Sequence, residues 1–236
     1  MLLAESDIRS YDYDDDMIQA LCDDRRPRWR VYHLHRPIVV LGRGSNPCTE
    51  LHLDACKEDG IPLFRRQGGG CAVIVDPGNV IVSVVLPMNG IAGHRPYFDR
   101  LSEWLLDGLR KIGFADVHRA GISDLAIQDR KVAGSCIYCS RDLLYFSATL
   151  LVAPRVEFME RYLKHPLREP DYRRGRTHSD FVGMLSDGKS EGEVEKFTAA
   201  LREALRQTLP GKFLSSHETA CQQQTEGQVL ANAQME

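Results

Sequence analysis

Two arginines run straight into three glycines at Arg65-Arg66-Gln67-Gly68-Gly69-Gly70, and Cys71 and Ala72 then open an apolar stretch that ends at Asp76-Pro77-Gly78-Asn79. Glycines in series let a backbone lie against a ligand and adopt φ > 0 at little steric cost. Neighbouring guanidinium forks suit phosphate or carboxylate oxygens. The combination points to a pocket for a small, anionic, nucleotide-like ligand. A hairpin turn with two solvated arginines is the plain alternative. A second cluster is Gly121-Ile122-Ser123-Asp124-Leu125, followed by Asp129-Arg130-Lys131-Val132-Ala133-Gly134-Ser135. Lys131 stands between a turn and an apolar strand. It can aim a compact charge at a phosphate, and its small neighbours Gly134 and Ser135 let a ligand approach. An exposed hairpin lysine is the competing reading, and the glycine loop upstream weighs against it.

The elements that must hold these groups are short and mostly β. Residues 29–32 alternate, and 38–42 form a buried strand closed by Gly42. Residues 43–47 are a loop by composition, 51–59 a short helix ending at Gly60, and 61–64 a strand leading into the glycine loop. Residues 71–75 and 80–86 read as a hairpin about the Asp76–Asn79 turn. Apolar residues at Phe98, Leu101, Leu105, Leu109 and Ile112 set a helix over 97–113. Strands follow at 125–127, 131–133 and 143–152, then a short helix at 156–163. A helix over 191–209 carries Val194, Phe197, Leu201, Leu205 and Leu209 on one stripe. The first 25 residues or so read as helical and then polar, and the segment 215–236 as a polar, mobile tail. The fold class is therefore α+β, with mixed or mostly antiparallel sheets flanked by helices. The domain reading is one catalytic unit over 1–214 plus the tail.

With 236 residues, 43% hydrophobic, 27% charged and a net charge of −3, the chain has the balance of an ordinary globular domain and not of a nucleic-acid or membrane-surface binder. No apolar run approaches the ~20 residues of a membrane span. The expected setting is cytoplasmic. Seven cysteines are an odd number for a disulfide framework. Cys136 and Cys139 form one C-x-x-C without a second ligand pair, which argues against zinc.

Three ordered motifs resemble the lipoate–protein ligase family, within the biotin/lipoate ligase and octanoyltransferase superfamily. They are the loop from Gly42 to Pro47, the stretch from Arg65 to Asn79, and the stretch from Asp124 to Leu151. The likeness spans about residues 30 to 185 and implies the biotin/lipoate ligase-like catalytic fold in a minimal form, without a C-terminal accessory domain. It implies ATP-dependent attachment of lipoate, or of octanoate, to a lysine of a small lipoyl-carrier domain through lipoyl-AMP. The carrier would be of the glycine-cleavage type, a dehydrogenase lipoyl domain or a lipoate-binding protein, with ATP as cosubstrate and Mg²⁺ as cofactor. In this reading Lys131 is catalytic, offsetting charge at the α-phosphate and acyl carbonyl. Arg65, Gly68, Gly69, Gly70, Cys71, Ala72, Asn79, Asp124 and Ser135 bind substrate or nucleotide, and Asp124 also faces Mg²⁺. Arg43 and Asn46 support the pocket loop, Asn79 the turn that closes over adenosine, and Val73, Val75 and Val84 the aliphatic chain.

There are departures from the family pattern. Ser123 stands before Asp124 where Asn is frequent, and Phe146-Ser147-Ala148-Thr149 replaces a His-Gly-Thr. The rival activity is octanoyl or lipoyl transfer between carriers through a cysteine thioester. Neither cysteine position of the transferases known to use one is matched, which leaves Cys71, Cys136 and Cys139 as candidates. A non-catalytic binding module is the rival of another class. The basic run Arg173-Arg174-Gly175-Arg176 is either a solvated loop or a contact for an acidic carrier.

Overall fold

The computed structural model describes residues 7–88, 95–186 and 192–206. The element order is β1 (Arg9–Ser10), α1 (Asp15–Asp24), β2 (Arg28–Tyr32), β3 (Ile38–Leu41), α2 (Pro47–Glu50), α3 (Leu53–Glu58), β4 (Leu63–Arg65), β5 (Val73–Val75) and β6 (Asn79–Pro87). It continues with α4 (Arg95–Lys111), β7 (His118–Ala120), β8 (Asp124–Ile127), β9 (Arg130–Cys139), β10 (Leu143–Leu151), α5 (Val156–Tyr162), α6 (His178–Phe181) and α7 (Glu193–Arg206). A 3₁₀ turn at Asp171–Arg173 precedes α6.

Two sheets organise the chain. The larger is antiparallel in the order β2-β6-β10-β9-β8-β7. The smaller, β1-β4-β3-β5, mixes parallel β1/β4 and β3/β4 pairs with an antiparallel β3/β5 pair. Strand β6 is buried along almost its whole length, as a strand covered on both faces must be. Its Val80, Val82 and Val84 join Phe146, Ala148 and Leu150 of β10 beneath α4 and α7. Gly108 of α4 lets α7 come close: a Cβ there would lie 2.4 Å from Leu205 Cδ2. Trp104 is fully buried and meets Trp29 edge-on, with centroids 5.8 Å apart. The opposite face of β6 and β10 looks toward the smaller sheet, where Ile81 packs with Ile38, Val40, Phe64 and Val75. The far side of the smaller sheet is covered by α3, α5 and α6 through Leu41, Leu51, Cys56, Met159, Tyr162 and Phe181. The layers run helices, large sheet, small sheet, helices.

The segment expected as a hairpin, 71–86, is not one. β5 pairs with β3 in the small sheet, whereas β6 pairs with β2 and β10 in the large one. The turn itself forms: Asn79 N–H donates to the Asp76 carbonyl at 2.9 Å. The buried Asp76 carboxylate also accepts from Gly78 N–H and Arg155 N–H, and burial raises its pKa. Gly78 sits against Ala153, whose carbonyl a Cβ would overlap at 1.9 Å. Turn chemistry is the same in both cases; long-range pairing sends the two arms to different sheets. Among the described residues the first helix is α1, and β1, α2, β7, α6 and the 3₁₀ turn are additional to the sequence reading. Helix α7 ends at Arg206; Leu209 and the tail 215–236 lie outside the described residues.

Candidate functional site

Strand alternation should turn Lys131 toward the helices, on the side of Ala133. The structure turns it the other way. The β8/β9 register runs Asp124↔Gly134 and Leu125↔Ala133, then slips so that Ala126 faces Lys131. Val132 and Ala133 both enter the core beneath the helices. The bulge thus returns Lys131 to the face of Gly134 and Asp124, the kind of re-aiming that bulges provide beside functional sites. There its Nζ lies 2.8 Å from Asp124 Oδ1, with the carboxylate buried and the lysine side chain 27% exposed. Tyr172 donates its hydroxyl to Asp124 Oδ2 at 2.9 Å. Burial and the adjacent Asp124 raise the Tyr172 pKa, so it stays a donor. Gly134 leaves the room: a Cβ there would be 2.9 Å from Lys131 Nζ and 3.0 Å from Cε.

The glycine loop is pinned from several sides. Arg43 N–H donates to the Gly68 carbonyl at 2.9 Å. Gly42 lies so near Gly70 that a Cβ would meet its carbonyl oxygen at 1.9 Å, and Gly70 itself has φ +94°. Ser45 Oγ lies 3.0 Å from Glu50 Oε2 and 3.2 Å from the Gly70 carbonyl, and accepts from Gly42 N–H. Glu50 Oε2 also accepts the Ala72 N–H at 2.5 Å. Gly68 is pressed onto β9, where a Cβ would lie 2.7 Å from Cys136 Sγ. Arg65 Nη1 donates to the Gly42 and Ser45 carbonyls, and Arg66 donates to Val40, Gly69 and Cys71 carbonyls. Arg66 therefore braces the glycine loop directly, and Arg65 braces the neighbouring Gly42–Ser45 turn against which it packs.

Behind the loop is a buried polar cluster. Asp14 Oδ2 accepts from Ser83 Oγ at 2.7 Å, Tyr145 OH at 2.6 Å and Tyr32 OH at 3.2 Å, and Tyr32 meets Tyr11 at 3.0 Å. Arg30 Nε lies 3.0 Å from the other oxygen. Burial holds Tyr11, Tyr32 and Tyr145 well above the ordinary phenol pKa. The register puts Ser83, Ser147 and Cys136 side by side on this face.

Several site residues expected from sequence converge here: Lys131, Asp124 and Gly134 on the sheet, with Gly68, Gly69, Gly70, Cys71 and Ala72 in the loop above. Asn46 instead caps α2, accepting from Cys48 N–H, and Arg43 is exposed. Asn79 is fully buried; its Oδ1 accepts from Asp76 N–H, while Nδ2 has no partner among the described residues. Ser135 pairs with Ala148 on the helix-facing side, and its hydroxyl donates to the Ser123 carbonyl. Val84 faces the helices too, because it is one residue out of phase with Ser83. Cys136 and Cys139, three apart on a strand, point to opposite faces and cannot share a ligand: Cys136 meets Gly68 and Cys139 packs on the core. Among the described residues no group of three or more His, Cys, Asp or Glu could hold a metal ion. Burial and Glu50 push the Cys71 thiol pKa up, despite Arg66, Lys131 and Arg168 nearby. In the basic run, Arg173 is buried against Phe181, Arg176 is bound to Asp129, and Arg174 is exposed. Arg173 therefore cannot meet a partner as a surface charge. Glu50, Tyr172 and Asp14 were missed by the sequence reading.

Residues 10–206 match the family model for the lipoyl protein ligase A/B catalytic domain. A lipoate–protein ligase of Streptococcus pyogenes serotype M5 is 33% identical over 151 residues, covering 64% of this chain and 44% of that protein. Lipoate-protein ligase A of Psychrobacter cryohalolentis is 32% identical over 133 residues, covering 55% of this chain and 37% of its own length. The match thus spans less than half of these relatives. Among solved structures, the bipartite lipoate protein ligase of Thermoplasma acidophilum, described with its E2 lipoyl domain, superposes with a TM-score of 0.63 at 23% identity. That superposition covers 84% of this chain and 82% of the other and bears on the fold alone. A lipoate-protein ligase A bound with ATP superposes with a TM-score of 0.61 at 26% identity, covering 82% and 78%. No helix among the described residues is long and apolar enough to cross a membrane.

Proposed function

The chain belongs to the lipoyl protein ligase A/B catalytic-domain family, and from that premise we propose that it attaches lipoate to a lysine of a small carrier domain at the expense of ATP. The observation that carries this is Lys131, turned by a bulge onto a buried carboxylate beneath a glycine loop held at fixed height. In the first step a lipoate carboxylate oxygen bonds to the α-phosphorus, the α–β bridging bond breaks, and pyrophosphate leaves. In the second, a neutral lysine amine attacks the acyl carbonyl, loses a proton, and AMP departs. Lys131 sets a positive charge where negative charge develops in both steps. Asp124 and Tyr172 hold it in register, so little reorganisation is needed at the moment of reaction.

A nucleotide-bound Mg²⁺ is normally held by one or two carboxylates plus phosphates. Asp124, the carboxylate expected for it, has Oδ1 on Lys131 and Oδ2 on Tyr172 and as it stands does not fit that role, so Mg²⁺ would come in on the nucleotide phosphates. The ion would neutralise phosphate charge. ATP, Mg²⁺, lipoate and a lipoyl domain as acceptor complete this reading. It assigns catalysis to the unit within 1–214, working in the cytoplasm. The thioester route is disfavoured, because a Cys71 thiol raised by burial and by Glu50 is a poor nucleophile at neutral pH. The test is the intact mass of an apo lipoyl domain after incubation with the protein, lipoate and Mg²⁺, with and without ATP. An ATP-dependent lipoyl gain that disappears in Lys131→Ala is expected. Gain from an acyl-carrier donor without ATP would replace this reading with the transferase.

A further inference from the structure

Two of the most exposed large apolar side chains among the described residues are Ile122, 89% exposed, and Leu167, 78% exposed. They belong to two segments that touch. Gly121, beside Ile122 in the turn between β7 and β8, packs so that a Cβ would lie 3.2 Å from Pro170 and 3.5 Å from Tyr172. Leu167 opens the same strap that carries Pro170 and Tyr172. This junction is the rim of the site. Tyr172 reaches Asp124, and Cys71 Sγ lies 3.8 Å from the Arg168 carbonyl. Apolar side chains scattered singly on a surface need no explanation; these two stand apart because their segments touch at the mouth of the site.

The charge on this strap says what fits. Of the basic side chains in residues 164–176, Arg173 is buried, Arg176 is bound to Asp129 and Lys164 donates to the Cys48 carbonyl, which leaves Arg168 and Arg174 as the charges this strap offers, in a chain whose net charge is −3. Arg168 and Arg174 are exposed and make no side-chain ion pair among the described residues.

We infer that Ile122 and Leu167, flanked by Arg168 and Arg174, form the docking clamp for the acceptor, a small folded domain with an acidic face that presents its lysine on a protrusion between them. The inference rests on the ligase reading for its choice of partner. The apolar pair supplies the anchors, because a few desolvated side chains carry most of an interface's energy. The arginines supply steering and salt sensitivity. Because the strap holds Tyr172, a domain seated on it presses on the segment that orients Asp124 and Lys131.

The test is binding of a fluorescently labelled apo E2 lipoyl domain to the full chain, with lipoyl-AMP formation from lipoate and ATP measured separately. The double variant Ile122→Ser, Leu167→Ser should raise the Kd about tenfold or more. Arg168→Glu with Arg174→Glu should raise it by a similar factor at low salt and by much less at high salt. Both variants should form lipoyl-AMP within about twofold of wild type, since no altered side chain touches the Lys131 site. Unchanged Kd in the apolar variant, or no binding of the domain to the wild-type chain, would overturn the clamp. Failure of the wild-type chain to make lipoyl-AMP would overturn the ligase reading alone, because binding is scored without catalysis.

Discussion

Gly134→Ala isolates the geometry on which the proposed chemistry depends. The added Cβ would stand 2.9 Å from Lys131 Nζ, 3.0 Å from Cε and 3.6 Å from Asp124 Oδ1. Carbon and nitrogen rest comfortably at about 3.5–4.0 Å, so the ammonium must retreat by roughly 0.6–1 Å. It is the far end of a flexible side chain, and the backbone stays in place. The expected cost to folding is modest: the pair has a buried carboxylate but a partly exposed lysine and is loosened, not broken, and a stiffer unfolded chain returns about 0.4–1 kcal/mol. The melting temperature should stay within about 4 °C of wild type. Catalysis should not be spared. A displacement near 1 Å costs on the order of 100-fold, or about 2.7 kcal/mol of barrier. The assay is pyrophosphate release in the presence of lipoate and ATP, beside thermal unfolding. Gly44→Ala serves as control, because a Cβ there meets nothing within 4 Å. A Gly134→Ala rate within threefold of wild type would refute the reasoning. So would a loss of rate matched by a loss of folded protein.

Three other perturbations test the scaffold. In Gly68→Ala the methyl meets Cys136 Sγ at 2.7 Å, and removing the sulfur with Cys136→Ala should restore part of the activity, a coupling of about 1 kcal/mol or more; strictly additive losses would count against the contact. Asp14→Ala strips the acceptor from the hydroxyls of Ser83, Tyr145 and Tyr32 and should cost about 3 kcal/mol, roughly 6–12 °C in Tm; a shift under 2 °C would show the cluster to be dispensable. For Cys71, a raised thiol pKa means that iodoacetamide labelling climbs with pH to a midpoint above the usual ~8.5, and Glu50→Gln should bring that midpoint down. A plateau below pH 8 would contradict the burial argument. Cys71→Ser should keep ATP-dependent ligation.

The loop and strand that make the site were legible because their signals are local. Glycines mark the close approaches at Gly68 and Gly70, and apolar runs mark β6, β9 and β10. What escaped depends on pairing over long range. Nothing between Asp76 and Asn79 distinguishes a hairpin from a crossover between sheets; that is decided by β3 and β10 taking different partners. Period two cannot anticipate the slip at Leu125/Ala126 that turns Lys131 around. The same rule, correctly phased, separates Ser83 from Val84 and places Val84 in the core beneath the helices. Asp14 left only a misleading trace. It precedes α1 at the N-cap, where Asp is usual, but its side chain makes no cap bond and turns to the buried hydroxyls instead, a choice sequence does not reveal. Glu50 left none, since its partners, Ser45 Oγ and Ala72 N–H, come together only in the fold.

The arginine pair shows why residue type and residue task come apart. Arg65 and Arg66 seemed to be the anion-binding groups, yet their guanidinium groups donate to carbonyls of the loop and of β3. A stretch of glycines has few side-chain contacts with which to hold a shape, and its carbonyls crowd together when it folds back. The Arg66 fork relieves that crowding at Gly69 and Cys71, while Arg65 fixes the Gly42–Ser45 turn beside the loop. Their charge then reaches a ligand through the field rather than through direct hydrogen bonds. Lys131 differs: one carboxylate, itself held by Tyr172 from the 164–176 strap, sets its position. If the proposed acceptor docks on that strap, its binding energy would reach the lysine and not the arginines. Loosening Tyr172, as in Tyr172→Phe, should accordingly lower transfer to the carrier more than it lowers formation of the adenylate.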